Sequence, residues 1–145
     1  MKILTIAFFF LISSPVNWLG DFSKAQTKAQ QSHKLILINF SGSDWCGPCI
    51  RLRKQILESS AFESYAAEHL LLVRADFPRQ KKNQLNKDQV KLNEALADKY
   101  NAEGKFPFTL LVDEYGKVLK QWDGYPGESP EKFIEQINQF ANVSN

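Results

Sequence analysis

The 145-residue chain has two cysteines, set three positions apart as Cys46-Gly47-Pro48-Cys49. A thiol works chemically as its thiolate, which attacks disulfides and binds metals. A bridge across two intervening residues closes so small a loop that it constrains the unfolded chain little. Exported chains of this size that rely on structural disulfides carry several pairs with longer loops. The pair therefore reads as chemistry and not as a staple, and the two chemistries open to it are thiol–disulfide exchange and metal binding. A closed zinc site needs about four ligands; beyond its thiols the chain offers His33, His69 and the methionine at position 1. His33 precedes a strand-like run and His69 ends a helical one, so nothing in the sequence groups them with the cysteines. Redox exchange is the expected activity, with no metal and no cofactor.

Exchange needs a reactive thiol and a resolving one, and the neighbouring elements supply both positions. Leu35-Ile36-Leu37-Ile38-Asn39-Phe40 is a short apolar run suited to a buried strand. Ser41 to Trp45 is a loop, and a helix follows from about Gly47 to Ser59, with Pro48 tolerated in its first turn. This order puts Cys46 at a helix N-terminus, where unpaired amides and the helix dipole favour a thiolate. The thiol pKa then falls below its ordinary value of about 8.5. Cys49, one turn inside, is expected to be the more buried and to attack the mixed disulfide that Cys46 forms with a substrate.

The remaining elements follow from periodicity and turn signals. Trp18–Ser32 reads as a helix, with Leu19, Phe22, Ala25 or Gln26, and Ala29 on one face. Phe62–His69 continues helically after the cysteine helix, and Leu70–Asp76 is a second buried strand. Phe77–Lys87 is a polar, basic surface excursion containing Pro78, Arg79, Lys81 and Lys82. Asp88–Tyr100 is a helix, with Asp88 as cap and Leu92, Leu96 and Tyr100 in one row. Thr109–Asp113 and Val118–Trp122 form a hairpin across Glu114–Lys117. Ser129-Pro130 opens the last helix, whose apolar stripe is Phe133, Ile134, Ile137, Phe140 and Ala141. Strands joined by a helix run parallel and hairpin strands antiparallel. The order α-β-α-β-α-β-β-α thus predicts an α/β domain, a mixed four-stranded sheet with helices on both faces.

Trp45-Cys46-Gly47-Pro48-Cys49 resembles the active-site sequence of the thioredoxin family, and the resemblance runs over nearly all of Trp18 to Ala141. It implies a thioredoxin fold and a thiol–disulfide oxidoreductase acting on protein disulfides, with Cys46 and Cys49 as its catalytic pair. The Gly47-Pro48 pair resembles reducing members, which implies a reductase. Phe106-Pro107 matches the family's cis-proline, and Gly124 matches a glycine lining the substrate groove. The implied substrate-contacting residues are Trp45, Gly47, Pro48, Phe106, Pro107 and Gly124, while Trp122 reads as packing and Asp44 as a polar loop group. Phe40–Cys46, and Asp76-Phe77-Pro78-Arg79 with the basic insert after it, are similar to exported bacterial thioredoxin-like proteins. In those a Trp and an Asp precede the first helix, as Trp18 and Asp21 do here. Two departures stand out. Asn39 occupies the position of the family's buried acid, and Phe108 intervenes between Pro107 and Thr109, which suggests a more apolar groove. The alternative function is a peptide-binding folding or assembly factor of the same fold in which redox turnover is secondary. Such a module would tolerate Cys46→Ser.

The N-terminus stands apart. Lys2 is followed by the apolar run Ile3–Ile12 and then Ser13-Ser14-Pro15, the layout of a secretory signal. As a helix ten residues rise about 15 Å, half of a bilayer core of about 30 Å. The alternative is a buried first element of a cytosolic protein, but the run lacks an amphipathic period and lies outside every element the fold requires. The expected organisation is a signal peptide at 1–16 and a thioredoxin-like domain at 17–145, exported to a bacterial periplasm. Ser23-Lys24-Ala25 has the small-residue spacing of a cleavage site but lies within the first helix, so cleavage is expected near Ser14–Asn17. Eleven Phe and 43% apolar residues furnish a core and set the chain apart from disordered proteins. A formal net charge of +2 gives no basic surface for nucleic acid. The expected partners are disulfide-containing protein substrates and a redox partner protein, met by a monomer.

Overall fold

A computed structural model describes residues 16–141. Apart from Val16, the expected signal peptide lies outside the described residues.

The sheet is mixed, as the connections require, but it has five strands in the order β1-β3-β2-β4-β5. β2 (Leu35–Ser41) is central and all seven of its residues are buried, which explains its nearly unbroken apolar sequence. β3 (Leu70–Asp76) lies parallel to it, with Asn39 opposite Arg74. β4 (Phe108–Val112) lies antiparallel on its other side, with Asn39 opposite Thr109, and β5 (Val118–Asp123) completes the hairpin.

The fifth strand corrects the helix expected over Trp18–Ser32. Trp18 and Leu19 form β1, pairing in parallel with Leu72 and Val73 of β3. Helix α1 starts only at Phe22 and ends at Ser32. Asp21 sets the boundary: its carboxylate accepts from Ser23 N at 2.9 Å and Lys24 N at 3.3 Å, satisfying amides that the first helical turn leaves free.

Helices cover both faces. α1 and α4 (Lys87–Tyr100) contribute Ala25, Ala29 and Leu96 to one core, against Ile36, Ile38, Phe40, Val73, Leu110 and Val112. On the other face α2 (Gly47–Leu52), α3 (Ser60–His69) and α5 (Pro130–Ala141) pack onto Leu35, Leu37, Leu72 and Leu111. The helix expected over Gly47–Ser59 is composite. α2 passes into a π turn at Arg53–Leu57, and Ser59 then caps α3, its hydroxyl accepting from Phe62 N at 3.2 Å. α4 is capped by Asn86 and not by Asp88, Asn86 Oδ1 accepting from Gln89 N at 2.8 Å. Its buried side runs through Asn93 and Leu96, because Asn93 Nδ2 donates to the Asp76 carbonyl at 2.8 Å; Leu92 is turned out to solvent.

Candidate active site

Cys46 and Cys49 are joined as a disulfide across the first turn of α2, their Cα atoms 5.2 Å apart. Cys46 is the N-cap residue, with extended backbone (φ −92°, ψ 104°), and Pro48 stands in the first turn, where its missing N–H costs no helical bond. The Cys49 amide donates to Cys46 Sγ at 3.2 Å. The Gly42 amide approaches Cys49 Sγ at 3.5 Å. Each sulfur is thus faced by a backbone N–H, a group that favours the charge of a thiolate. Cys46 and Cys49 are 5% and 3% exposed, so the expected contrast in burial is small in the disulfide form. Gly47 and Pro48 between them are exposed.

Phe40 pairs with Phe108, and Phe108 with Asp123. The chain before Phe108 and the chain after Asp123 therefore reach the sheet end where β2 runs into the cysteine loop. The Phe106–Pro107 peptide is cis. Pro107 O accepts from Gly124 N at 2.9 Å, and Gly124 has φ +85°, a conformation L side chains rarely adopt. Among the described residues the Phe106 backbone makes no hydrogen bond. Its ring meets Trp45 edge-on at 5.6 Å between centroids and Phe77 at 5.4 Å. Trp45 Nε1 donates to the Phe77 carbonyl at 2.8 Å, and a Cβ at Gly42 would overlap the indole. Phe108 does not widen this apolar rim, contrary to expectation. It begins β4, 5% exposed and stacked on Phe40 at 6.4 Å, in the cluster that Phe77 and Phe106 pack against, so it lies beneath the rim and not on its surface.

Asn39 lies on the sheet face that α2 covers, in line with Leu35 and Leu37. It is 3% exposed, and its Nδ2 donates to Thr109 Oγ1 at 3.1 Å. Its register neighbour on the other side, Arg74, stacks over Trp18 with Cζ 4.1 Å from the ring. Burial and the nearby Arg53 guanidinium push the Arg74 pKa down, while Asp76 and Glu58 oppose the shift. Trp122 is a packing residue, on Phe133 at 4.6 Å.

Two residues matter more than their sequence context suggests. The Asp44 carboxylate accepts from the Arg79 and Gln80 amides, each at 2.9 Å, and from Asn83 Nδ2 at 3.0 Å. These bonds, led by the Arg79 amide, hold its pKa below the usual carboxylate value. Arg79 in turn sets its guanidinium over the Trp45 ring, Cζ 3.6 Å from the centroid. Nearby, Ser43 N and Oγ donate to the Asp76 carboxylate at 2.9 and 2.5 Å. The cysteine loop and the segment after β3 are thus laced together. Asp76-Phe77-Pro78-Arg79 was visible as a motif, but no local signal joins Asp44 to amides 35 residues on.

His33 and His69 sit elsewhere, beside Glu114 and Glu68. Among the described residues no three His, Cys, Asp or Glu side chains are grouped to hold a metal.

The chain is similar to a disulfide bond reductase, DsbH, of Chlamydia pneumoniae, 39% identical over 107 residues that cover 74% of this chain and 63% of the relative. It is similar also to a thioredoxin-related protein, DsbJ, of the same organism, 30% identical over 81% of this chain and 33% of that one. The chain thus spans less than two thirds of either curated relative. Among solved structures, a DsbH oxidoreductase superposes with a TM-score of 0.81 at 29% identity, covering 98% of this chain and 96% of its own. A poplar thioredoxin h shares the fold at a TM-score of 0.60 and 16% identity, over 88% of this chain and 96% of its own. A thioredoxin-like domain family matches residues 22–141, and the chain belongs to that thioredoxin-like family.

Proposed function

We propose that this protein is a thiol–disulfide oxidoreductase that reduces disulfides in protein substrates through Cys46 and Cys49. One observation carries the proposal: the two sulfurs are bonded across the first turn of α2, with Cys46 at its cap and the Cys49 amide on its sulfur. In the reduced protein the Cys46 thiolate attacks one sulfur of a substrate disulfide. A Cys46–substrate S–S bond forms, and the other substrate sulfur leaves as a thiolate that takes a proton from solvent. Cys49, once deprotonated, attacks Cys46 Sγ; the internal disulfide forms and the second substrate sulfur leaves and is protonated. Two electrons and two protons pass to the substrate, and a redox partner protein bearing a dithiol restores the pair.

The same reading gives the surrounding residues their roles. Phe106 offers an unpaired backbone N–H and carbonyl to an extended substrate segment, as an added strand does at a sheet edge. Trp45, Gly47, Pro48, Pro107 and Gly124 frame that segment. Lys2 and the apolar run after it support export to a periplasm. The name of the reductase relative supports the direction of electron flow.

Trapping experiments test the proposal. Cys46→Ser should abolish reduction of a peptide disulfide, and Cys49→Ser should accumulate the mixed disulfide on Cys46. Retained cellular function in Cys46→Ser would point instead to the peptide-binding module. The potential of the pair decides direction: a value near thioredoxin's, about −270 mV, fits a reductase, and one near −120 mV an oxidant.

A further inference from the structure

Four acids near the cysteine loop and the end of β5 already have partners, neutral ones for Asp44 and Asp76 and a shared lysine for Glu103 and Asp123. Asp44 holds the Arg79–Asn83 segment, and Asp76 is bonded to Ser43. Asp123 and Glu103 both lie 3.2 Å from Lys105 Nζ. Two guanidinium groups are not so engaged. Arg79 is exposed over the Trp45 ring, and Arg51, exposed on α2, lies over the ring of Tyr125, Cζ 5.5 Å from its centroid. Among the described residues neither forms a salt bridge. Trp45 adjoins Cys46, and Tyr125 follows Gly124, so each cation lies over a ring that is, or is next in the chain to, a residue given a docking role above.

The backbone of Arg79 and the ring under Arg51 are each held in place. Asp44 binds the Arg79 amide itself, and Tyr125 Oη donates to Gln55 Oε1. Each guanidinium carbon lies within cation–π reach of a ring, about 6 Å, and Arg79 is much the closer of the two. The planar guanidinium fork matches a carboxylate and costs less to order than a free side chain would.

We propose that Arg79 and Arg51 make the site selective for disulfides flanked by acidic residues in an extended substrate chain. This rests on the docking role given above to Phe106, Pro107 and Gly124, since a charge can select a flanking residue only if the chain lies along the groove.

The test uses the full chain and three disulfide-bearing peptides that differ only in flanking residues: Asp/Glu, Ser/Gln or Lys/Arg. The wild type should reduce the acidic peptide about tenfold faster than the basic one at low ionic strength, a preference that shrinks in about 0.5 M salt. Arg79→Gln and Arg51→Gln should each cut that ratio several-fold, the pair together nearly to unity, and Arg79→Lys should keep part of it. Lys117→Gln, in the turn at the opposite end of the β4–β5 hairpin, should leave it intact. Equal rates for the three peptides would overturn the proposal. So would a ratio unchanged by the variants, or a uniform slowing of all peptides that tracks a shift in the Cys46 pKa. Failure of the docking role reads differently: Pro107→Ala would then slow a peptide and dithiothreitol alike, whatever the charge on the peptide.

Discussion

Asn39 Nδ2 donates to Thr109 Oγ1 at 3.1 Å, joining β2 to β4 on the sheet face beneath α2. Both groups are buried, and neither can take the proton that Cys49 must lose. Asn39→Asp should therefore speed decay of the mixed disulfide, by about tenfold where the new carboxylate is ionised. The gain carries a stability cost. A carboxyl buried there has its pKa raised by desolvation. The cost is absent below its ordinary pKa of about 3.9, grows as pH rises through the folded value, and levels off at about 1–3 kcal/mol. Stopped-flow quenching with urea unfolding at pH 4 and pH 7 measures both effects. A decay rate unchanged across pH would show that the proton leaves by another route.

Asp44 gives a second prediction. Its folded pKa is lowered by hydrogen bonds, first among them the one from the Arg79 amide. The stabilisation it contributes is present above the unfolded value of about 3.9 and is lost as pH falls through the lower folded one. The Trp45 indole N–H, bonded to Phe77 O beside this clamp, reports on it. Its NMR signal should hold steady from pH 7 to pH 4 and shift only in stronger acid. Asp44→Ala should shift it at every pH and remove hydrogen-exchange protection from the Arg79 and Gln80 amides. Protection that survives the substitution would mean that the segment is held without the carboxylate.

Much of the fold was legible because it rests on local signals. The apolar run of β2, Pro48 in a first helical turn, and Ser129-Pro130 at the start of α5 each mark an element without reference to the rest. What local signals do not carry depends on distant partners. Trp18 and Leu19 fit the helical row of α1 and become a strand only because the edge of β3 is there to pair with. Asn93 turns α4 because a carbonyl of β3 waits for its amide. The cysteines and the residues around Pro107 and Gly124 could be named from the motif and its resemblance. The Asp44 clamp and the Arg79–Trp45 stack could not, since both form only when the segment after β3 folds back on the cysteine loop.

Reduction should leave the two thiols unequal. Cys46 caps α2, where its sulfur receives the Cys49 amide and the positive end of the helix dipole. Cys49 lies inside the helix, and the amide that faces its sulfur, that of Gly42, is farther away at 3.5 Å. Iodoacetamide near neutral pH should label Cys46 first, by about tenfold or more, and peptide mapping reads the site directly. Preferential labelling of Cys49 would reverse the assignment of attacking and resolving thiols.

Docking gives the last prediction. Pro107 has no N–H to donate, and its carbonyl is engaged by Gly124 N, so Phe106 just before it is left with both backbone groups unpaired. In the docking proposed above, an extended substrate chain pairs with them beside Trp45, and Gly124, without a side chain, would let the two backbones come close. Flexible or unfolded disulfide-bearing chains should therefore be better substrates than rigid ones. Pro107→Ala places a new donor in this strip. It should slow peptide disulfide exchange about tenfold or more, the scale of two backbone hydrogen bonds at about 0.5–1.5 kcal/mol each. Reduction of the Cys46–Cys49 disulfide by dithiothreitol needs no docking and should slow much less. Equal slowing of the two reactions would mean that Pro107 shapes the fold and does not dock the substrate.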